Sequence, residues 1–223
     1  DFNSFFLKDL ENVEIDGINS VSTGDVVALI GDFDLYSIAT FLRLLEKGCI
    51  VVPITIETKG QHKYLIEQSK AQYIFNKNIL VQTISASRNY NELLDELRVK
   101  QHPGLILFTT GTTGLPKAIL HDFIPFFQRY KTPRPALRAL SFLLFDHIGG
   151  INTLLHMLFN NGTVVCIRER SVEKVLEACR KYSIELLPTT PTFLRLLLLY
   201  PELDKVFPES IKVVSYGTER LDQ

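Results

Sequence analysis

The stretch of the sequence with the clearest chemical content is a run rich in threonine and glycine that follows the apolar residues 105–108. It reads Thr109, Thr110, Gly111, Thr112, Thr113, Gly114, Leu115, Pro116 and Lys117. Glycine permits a positive φ and close approach of the backbone, so that successive amides point at one anion. Threonine hydroxyls add hydrogen-bond donors, and Lys117 adds a positive charge. The run therefore predicts a phosphate-binding loop, and a connecting turn with a solvated lysine is the alternative interpretation.

Two common nucleotide-binding patterns are absent from the sequence. A Walker A loop has glycine directly before its lysine and Ser or Thr directly after it, whereas Lys117 stands between Pro116 and Ala118. The dinucleotide fingerprint G-x-G-x-x-G is also missing. A Rossmann dehydrogenase is therefore disfavoured, and a P-loop NTPase is a distant third hypothesis.

The run resembles the phosphate loop of the AMP-forming adenylate synthetases, which include acyl- and aryl-CoA ligases, adenylation domains of nonribosomal peptide synthetases, and luciferases. That loop reads Ser/Thr, Ser/Thr, Gly, Ser/Thr, Thr, Gly, any residue, Pro, Lys and Gly, and residues 109–117 match every specified position. Ala118 departs from the usual final glycine, which restricts the backbone without removing a donor or a charge. The resemblance implies that residues 109–114 and Lys117 bind the β- and γ-phosphates of ATP. It also implies that Lys117 is catalytic, because it stabilises the phosphate charge.

A second stretch, residues 145–150, resembles the family's aromatic/His-x-x-G pattern, which lines the acyl-substrate pocket. It reads Phe145, Asp146, His147, Ile148, Gly149 and Gly150. The resemblance implies that His147 forms a wall or gate of this pocket and that glycines such as Gly149 let substrate approach the backbone. A hydrogen-bonded histidine at a strand-to-helix turn is the alternative. If the stretch is a strand, Asp146 and His147 face opposite ways and do not form a dyad.

A third stretch, residues 211–219, resembles the strand and glycine turn that hold adenine in the family. Gly217 and Thr218 are then expected to offer backbone to the nucleobase, with Glu219 beside them. An ordinary βα turn is the alternative. A later family motif, Tyr-Gly-x-Thr-Glu, supplies a glutamate to Mg²⁺, but this sequence has one residue fewer. We therefore predict no metal-binding residue here and expect the ligand of Mg²⁺ to lie outside this chain.

The elements that would position these residues are short apolar strands that alternate with amphipathic helices. Apolar runs at 26–30, 50–52, 105–108, 164–167 and 211–214 are typical of strands buried on both faces. Helical spacing recurs at 35–42 and at 172–179, where Ser171 is a predicted N-cap. This alternation predicts an α/β fold with layered, mostly parallel sheets flanked by helices.

Two polar breaks interrupt the pattern. Residues 83–102 form a connector that favours a helix around 91–98, and residues 131–135 form a proline-containing break. Residues 187–192 predict a strand end and a turn, with Pro191 near the first turn of the next helix. Neither break predicts a boundary between independent domains.

The resemblance covers the sequence from about Gly24 onward but omits the family's later motifs. Residues 1–223 are therefore expected to be part of the large N-terminal AMP-binding (adenylation) domain, with the small C-terminal domain absent. For a full-length parent protein, the resemblance implies ATP-dependent activation of a carboxylic acid to an acyl-adenylate, followed by transfer to coenzyme A or phosphopantetheine. The fragment alone is expected to be inactive. A non-catalytic nucleotide-binding or assembly module, and an adenylation domain that loads a carrier protein, are the alternatives.

Composition limits the remaining function classes. With 24 Lys and Arg against 25 Asp and Glu, the net charge is −1. This excludes binding to nucleic acid or anionic lipid that is driven by overall positive charge. No apolar run approaches the length of a membrane span, and residues 1–8 lack the basic start and long apolar core of a signal peptide. Cys49, Cys166 and Cys179 are interpreted as buried, reduced thiols. These features predict a cytoplasmic protein whose partners are a small carboxylic acid and, in the carrier-loading alternative, a carrier protein.

Overall fold

The computed structural model describes residues 7–84, 91–109 and 114–217 of the 223-residue chain. These residues divide into two compact units. The first unit takes the described residues up to Lys131 together with Phe145–His147, and the second takes Thr132–Leu144 and the described residues from Ile148 onward. The division falls within the predicted break at 131–135. That both units belong to one AMP-binding domain stays a prediction.

The described part of the first unit is a six-stranded sheet with helices. In chain order its elements are α1 (Leu7–Glu11), β1 (Val26–Ile30), α2 (Leu35–Glu46), β2 (Ile50–Ile54), α3 (His62–Ser69), β3 (Tyr73–Asn76), β4 (Ile79–Thr83), α4 (Glu92–Lys100), β5 (Gly104–Thr109), β6 (Lys117–Asp122) and α5 (Phe123–Gln128). Two 3-10 helices, Ile18–Ser20 and Ile56–Gln61, precede β1 and α3. The strand order is β4-β3-β1-β2-β5-β6. The pairs β1–β2, β1–β3 and β2–β5 are parallel, whereas β3–β4 and β5–β6 are antiparallel.

The described part of the second unit is a four-stranded parallel sheet in the order β10-β9-β7-β8. Its elements are β7 (Arg138–Ser141), α6 (Ile148–Phe159), β8 (Thr163–Cys166), α7 (Val172–Lys181), β9 (Leu186–Thr189), α8 (Pro191–Leu198), α9 (Leu203–Val206) and β10 (Val213–Tyr216). The prediction of mostly parallel sheets flanked by helices is thereby confirmed.

Side-chain caps explain why several helices begin where they do. The Asp34 carboxylate accepts hydrogen bonds from the amides of Tyr36 and Ser37, both at 3.0 Å, at the start of α2. Ser171 caps α7 as predicted, accepting from the amide of Lys174. Pro191 occupies the first turn of α8, also as predicted. These bonds satisfy amides that have no partner within the helix.

The core of the first unit is built on the strands predicted to be buried on both faces. Residues 26–29 of β1 and residues 50–52 of β2 are fully buried. The burial prediction is wrong for two strands of the second unit. Three residues of β8 are half-buried, and β10 begins two residues later than predicted, with every residue exposed. Apolar composition at 211–214 therefore did not indicate burial within this chain.

The predicted breaks and thiols are partly confirmed. Helix α4 lies within the predicted connector, where Asn91 accepts from the amide of Leu94 as its N-cap. Cys49 and Cys179 are buried as predicted, whereas Cys166 is half-buried. Burial raises the pKa of the Cys179 thiol to about 11, so this thiol stays protonated at neutral pH.

Candidate functional site: a hairpin loop and a turn held in the first unit

The predicted phosphate loop joins two neighbouring antiparallel strands. Strand β5 ends at Thr109, β6 begins at Lys117, and these two residues are paired directly across the ladder. Side chains opposite each other in a ladder project from the same face, so Thr109 and Lys117 stand on one face of the sheet, and both are exposed. The sequence predicts Lys117 as a loop residue, whereas the structure makes it the first residue of a strand. The Lys117 side chain therefore extends from a backbone that is held in the β5–β6 ladder.

The loop follows the carboxyl end of β5, a strand that runs parallel to its neighbour β2. In α/β sheets this edge is where ligands usually bind. Gly114 has a φ of +85°, a left-handed conformation that favours glycine. The predicted phosphate-binding residues Thr110, Gly111, Thr112 and Thr113 lie outside the described residues. Of the predicted loop residues, the structure therefore locates Thr109, Gly114 and Lys117, all in the first unit.

A tyrosine outside the motif contacts the end of the loop. The hydroxyl of Tyr64, on α3, donates a hydrogen bond of 3.1 Å to the carbonyl oxygen of Pro116. Tyr64 is half-buried and packs against the core cluster that includes Leu65 and Ile106, as do Phe108 and Leu120. The residue directly before Lys117 is thus held by a side chain from another element.

The second predicted segment, Phe145–His147, lies in a turn before α6 and belongs to the first unit. Asp146 and His147 lie in a turn between β7 and α6, so the rule that neighbours in a strand face opposite ways does not apply to them. Phe145 is fully buried, with its ring 5.3 Å from that of Phe33 and 5.7 Å from that of Phe41. This packing holds the segment against the first unit.

The Asp146 carboxylate is hydrogen-bonded to Thr55, which directly follows β2. Oδ2 of Asp146 accepts from the Thr55 hydroxyl at 2.9 Å and from the Thr55 amide at 3.4 Å. Burial raises the pKa of the Asp146 carboxyl, and the two bonds from Thr55 oppose that shift because they favour the ionised form. Burial lowers the pKa of His147, and the neighbouring Asp146 opposes this. A histidine with a lowered pKa is largely neutral at pH 7, so His147 presents an uncharged ring.

The predicted pocket glycines fall at the start of α6 in the second unit. The carbonyl oxygen of Gly149 accepts a hydrogen bond of 2.8 Å from the Thr153 hydroxyl. A Cβ at Gly150 would collide with the carbonyl oxygen of Leu144. Close approach of the chain's own backbone is therefore sufficient to explain the need for glycine at position 150. A substrate contact of Gly149 remains a prediction.

The predicted adenine turn also belongs to the second unit. Gly217 follows β10 and is exposed, while Thr218 and Glu219 lie outside the described residues. The partner of β10 is β9, and Tyr216 is paired with Thr189 at the carboxyl end of both parallel strands. Gly217 therefore occupies the edge of its sheet at which ligands usually bind.

Another concave feature of the first unit lies away from the predicted site residues. A cleft of about 310 Å³ is lined by Val13, Ile15, Ile18, Asn19, Arg43, Glu46 and Lys47. It adjoins the end of α2, near the amino end of β2, whereas the phosphate loop follows the carboxyl end of β5. The cleft is therefore not the predicted nucleotide site.

Two functional candidates, Tyr64 and Thr55, were missed at the level of sequence. Each belongs to no motif, and its partner lies far along the chain, 52 residues away for Tyr64 and 91 for Thr55. A weak signal existed for Thr55 alone, since it is a polar residue directly after an apolar strand. No pattern in the sequence indicates Tyr64.

Comparison with known proteins identifies the family. The model of the family described as AMP-binding enzyme matches residues 18–223. The chain belongs to the AMP-binding enzyme family. The resemblance inferred from residues 109–117, 145–150 and 211–219 is thereby confirmed at the level of the family, while the roles of individual residues stay predictions.

Relatives within the AMP-binding family include different kinds of protein. Bacitracin synthase 2 of Bacillus licheniformis is 23% identical over 89% of this chain and 8% of its own length. A putative long chain fatty acid-CoA ligase, VraA, of Staphylococcus aureus is 26% identical over 83% of this chain and 42% of its own. The N-terminal domain of FACL13 from Mycobacterium tuberculosis, solved with an inhibitor, has a TM-score of 0.70 at 16% identity, covering 92% of this chain and 59% of that one. The chain thus spans less than two thirds of each of these relatives, and the structural likeness shows the shared fold.

Within residues 7–84, 91–109 and 114–217, none of the helices is long and apolar enough to cross a membrane. Nor do three or more His, Cys, Asp or Glu side chains cluster there in a way that could hold a metal ion.

Proposed function

We propose that the chain provides the AMP-binding part of an enzyme that uses ATP to activate a carboxylic acid. In the first step the acid's carboxylate oxygen attacks the α-phosphorus of ATP, which gives an acyl-adenylate and releases pyrophosphate. In the second step a thiol attacks the acyl carbon, which gives a thioester and releases AMP. The thiol is that of coenzyme A or of a phosphopantetheine on a carrier protein.

One observation carries this proposal. The nine-residue threonine and glycine run follows the carboxyl end of β5, in a chain that matches the AMP-binding family from residue 18 to residue 223. Backbone amides and hydroxyls of residues 109–114 bind the β- and γ-phosphates in this proposal. Lys117 stabilises the negative charge that builds up as pyrophosphate leaves. Gly217, Thr218 and Glu219 hold the adenine, and His147 and Gly149 contact the acid.

The residues fit a bound nucleotide in two respects. Lys117 is exposed and begins a strand that is anchored on both sides, by the ladder with Thr109 and by the Tyr64 bond to Pro116. Gly114 adopts a left-handed conformation, with a φ of +85°, in which glycine allows close approach of the backbone to a phosphate. Mg²⁺ bound to the ATP phosphates would neutralise part of their charge, and we assign no residue of this chain to it.

The nature of the acid and of the thiol acceptor forms the finer part of the proposal. We favour an acyl-CoA synthetase, to which the likeness to a putative fatty acid-CoA ligase lends support. The likeness to bacitracin synthase 2 supports the close alternative, an adenylation domain that loads a carrier protein. The two differ in the second step alone, so the acceptor distinguishes them.

The test is carboxylate-dependent exchange of pyrophosphate into ATP. Fatty, aryl and amino acids are supplied in turn to this chain and to the full-length protein encoded by its gene. Exchange with one acid class supports adenylation and names the substrate class, and thioester formation with coenzyme A or a phosphopantetheinylated carrier then names the acceptor. ATP binding without exchange in either protein would leave a non-catalytic nucleotide-binding module and overturn the ligase proposal.

A further inference from the structure

One segment of the first unit contacts both predicted substrate-binding stretches of that unit. We call residues 55–69 the 55–69 segment; it comprises Thr55, the 3-10 helix Ile56–Gln61 and α3. Near its middle, the Tyr64 hydroxyl donates to the carbonyl oxygen of Pro116 at 3.1 Å. At its start, the Thr55 hydroxyl donates to Asp146, beside His147, at 2.9 Å. A single element thus reaches the end of the phosphate loop and the turn that carries His147.

Hydrogen bonds within the 55–69 segment tie its two contact points together. The carbonyl oxygen of Thr55 lies 2.8 Å from Nε2 of His62, the first residue of α3. A carbonyl can only accept, so this ring nitrogen carries a proton in that pair. The Thr58 hydroxyl also donates to the Thr55 carbonyl, at 2.9 Å. Thr55 is therefore fixed to the beginning of the helix on which Tyr64 lies.

Both contacts are made by side chains that are wholly or partly buried. Thr55 is fully buried, so the Asp146 carboxylate and the Thr55 hydroxyl would each lose a partner inside the protein if the bond were broken. The half-buried Tyr64 packs against the core cluster that contains Ile106 of β5. Phe108 and Leu120, on the two strands that the loop connects, pack against the same cluster. This packing restricts the Tyr64 ring, whose hydroxyl lies 3.1 Å from the carbonyl oxygen of Pro116.

We propose that Tyr64 and Thr55 are positioning residues, through which the 55–69 segment sets the geometry of both predicted binding stretches. Tyr64 fixes Pro116 and hence the backbone from which Lys117 extends. Thr55 fixes Asp146 and hence the turn that presents His147. Neither residue touches substrate. The proposal deepens and rests on the proposed function, since displacement of a charge-stabilising group by about 1 Å is enough to slow a reaction by about a hundredfold.

The test compares paired variants that remove one hydroxyl and preserve the packing. Tyr64→Phe deletes the hydroxyl that contacts Pro116, and Tyr36→Phe, at an exposed tyrosine on α2, is its control. Thr55→Val deletes the hydroxyl that contacts Asp146, and Thr55→Ser restores it. Thr40→Val is the matched control, because Thr40 is also fully buried but its hydroxyl has no hydrogen-bond partner among the described residues.

Two readouts are measured on each variant. Amide hydrogen exchange in this chain, followed by NMR, reports local order at residues 115–119 and 145–149 without requiring activity. Pyrophosphate exchange by the full-length protein reports KM for ATP and for the acid separately from kcat.

We expect Tyr64→Phe to speed amide exchange at 115–119 by about two- to tenfold, the range that one lost hydrogen bond allows. It should raise KM for ATP and leave exchange at 145–149 unchanged. Thr55→Val should do the reverse, speeding exchange at 145–149 and raising KM for the acid, and Thr55→Ser should recover both. The two control variants should match the wild-type chain in both readouts.

Unchanged amide exchange at 115–119 in Tyr64→Phe, or at 145–149 in Thr55→Val, overturns the positioning proposal. So does a general rise in exchange across the first unit, which would show a structural role only. Absence of pyrophosphate exchange in the wild-type protein overturns the proposed function instead, and the hydrogen-exchange result still decides the positioning role.

Discussion

Lys117 combines an exposed side chain with an anchored backbone, and this combination separates its chemical role from any role in stability. We expect Lys117→Ala to lower the rate of pyrophosphate exchange by about a hundredfold or more, the typical cost of removing one group that stabilises transition-state charge. The melting temperature should hardly change, because substitutions at exposed positions usually alter the free energy of unfolding by less than about 0.5 kcal/mol. Lys63→Ala, at another exposed lysine, is the control. An unchanged exchange rate in Lys117→Ala would remove the catalytic role.

Three histidines are expected to titrate below their usual range. Burial lowers the pKa of His121, His147 and His156, and nearby arginines add to the shift at His121 and His156. The unfolded chain, with a histidine pKa of about 6.5, therefore takes up protons first as the pH falls. The contribution of these histidines to stability is fully present above about pH 6.5 and is lost as the pH falls toward their folded values. NMR titration of the imidazole signals measures the three pKa values, and one at or above 6.5 contradicts the prediction for that residue.

Individual residues were predictable from sequence where type and spacing alone carry the chemistry. The loop of residues 109–117 is of this kind, since glycine, threonine and lysine in one short run have few other uses. Tyr64 and Thr55 are not, because each acts through a partner that only tertiary folding brings near. For a related reason, the sequence could not show that Gly150 lies close to the Leu144 carbonyl, since only the folded chain brings the two together.

At the scale of elements, capping of α2 offers a direct test of local stabilisation. Asp34 accepts from the amides of Tyr36 and Ser37 and from the Ser37 hydroxyl. We expect Asp34→Ala to reduce the free energy of unfolding by about 1–2 kcal/mol and Asp34→Ser to retain most of it. Thermal and denaturant unfolding followed by circular dichroism measures both.

A second variant separates the cap from an ion pair at the same residue. Lys77 lies 3.8 Å from Asp34, and both side chains are partly exposed. A pair of this kind contributes little, so Lys77→Ala should change the free energy of unfolding by less than about 1 kcal/mol. A larger loss from Lys77→Ala than from Asp34→Ala would assign the stabilisation to the ion pair.

In the first unit, the buried strands and the capped helix α2 were predictable, whereas the edge strands were not. In the second unit, the edge strands β8 and β10 were predicted from the apolar runs at 164–167 and 211–214. Strands β1, β2 and β5 are recognisable in the sequence as continuous apolar runs because helices cover both faces of their sheet. Strands β4 and β6 are the two edges of that sheet, and none of their residues is buried. Their short apolar runs, at 79–81 and 118–120, were not predicted to be strands. Strand β7 contains only two apolar residues, Ala139 and Leu140, so no apolar run marks it. An apolar run by itself does not distinguish a buried strand from an exposed one, as β4 and β10 show.

At the scale of the whole molecule, the chain crosses between its units more than once. It leaves the first unit after Lys131, returns for Phe145–His147, and then continues in the second unit. Nothing in the composition of 145–147 distinguishes it from its neighbours. The return of residues 145–147 to the first unit depends on the space that Phe33 and Phe41 leave for the Phe145 ring. That space is a property of the folded core, which the sequence does not display.

The returning segment predicts an unusually large effect for one phenylalanine. We expect Phe145→Ala to destabilise the first unit by about 3–5 kcal/mol, because it empties a site between two aromatic rings. Phe145→Leu, which fills most of the space, should cost less than about 1.5 kcal/mol. The chain has no tryptophan, so amide hydrogen exchange of Val27 and Leu29 in β1 is the suitable measurement. Equal protection of these amides in Phe145→Ala and the wild-type chain would contradict the prediction.

The position of Phe145 in the chain also sets the timing of folding during synthesis. A ribosome adds about 5–20 residues per second, so Phe145 is made roughly one to three seconds after Lys131. During that interval, Phe33 and Phe41 of the nascent chain lack their contacts with the Phe145 ring. The nascent chain therefore exposes aromatic surface that chaperones recognise and that promotes aggregation. Slow codons between positions 131 and 145 would lengthen this interval and lower the yield of folded protein without changing a single amino acid.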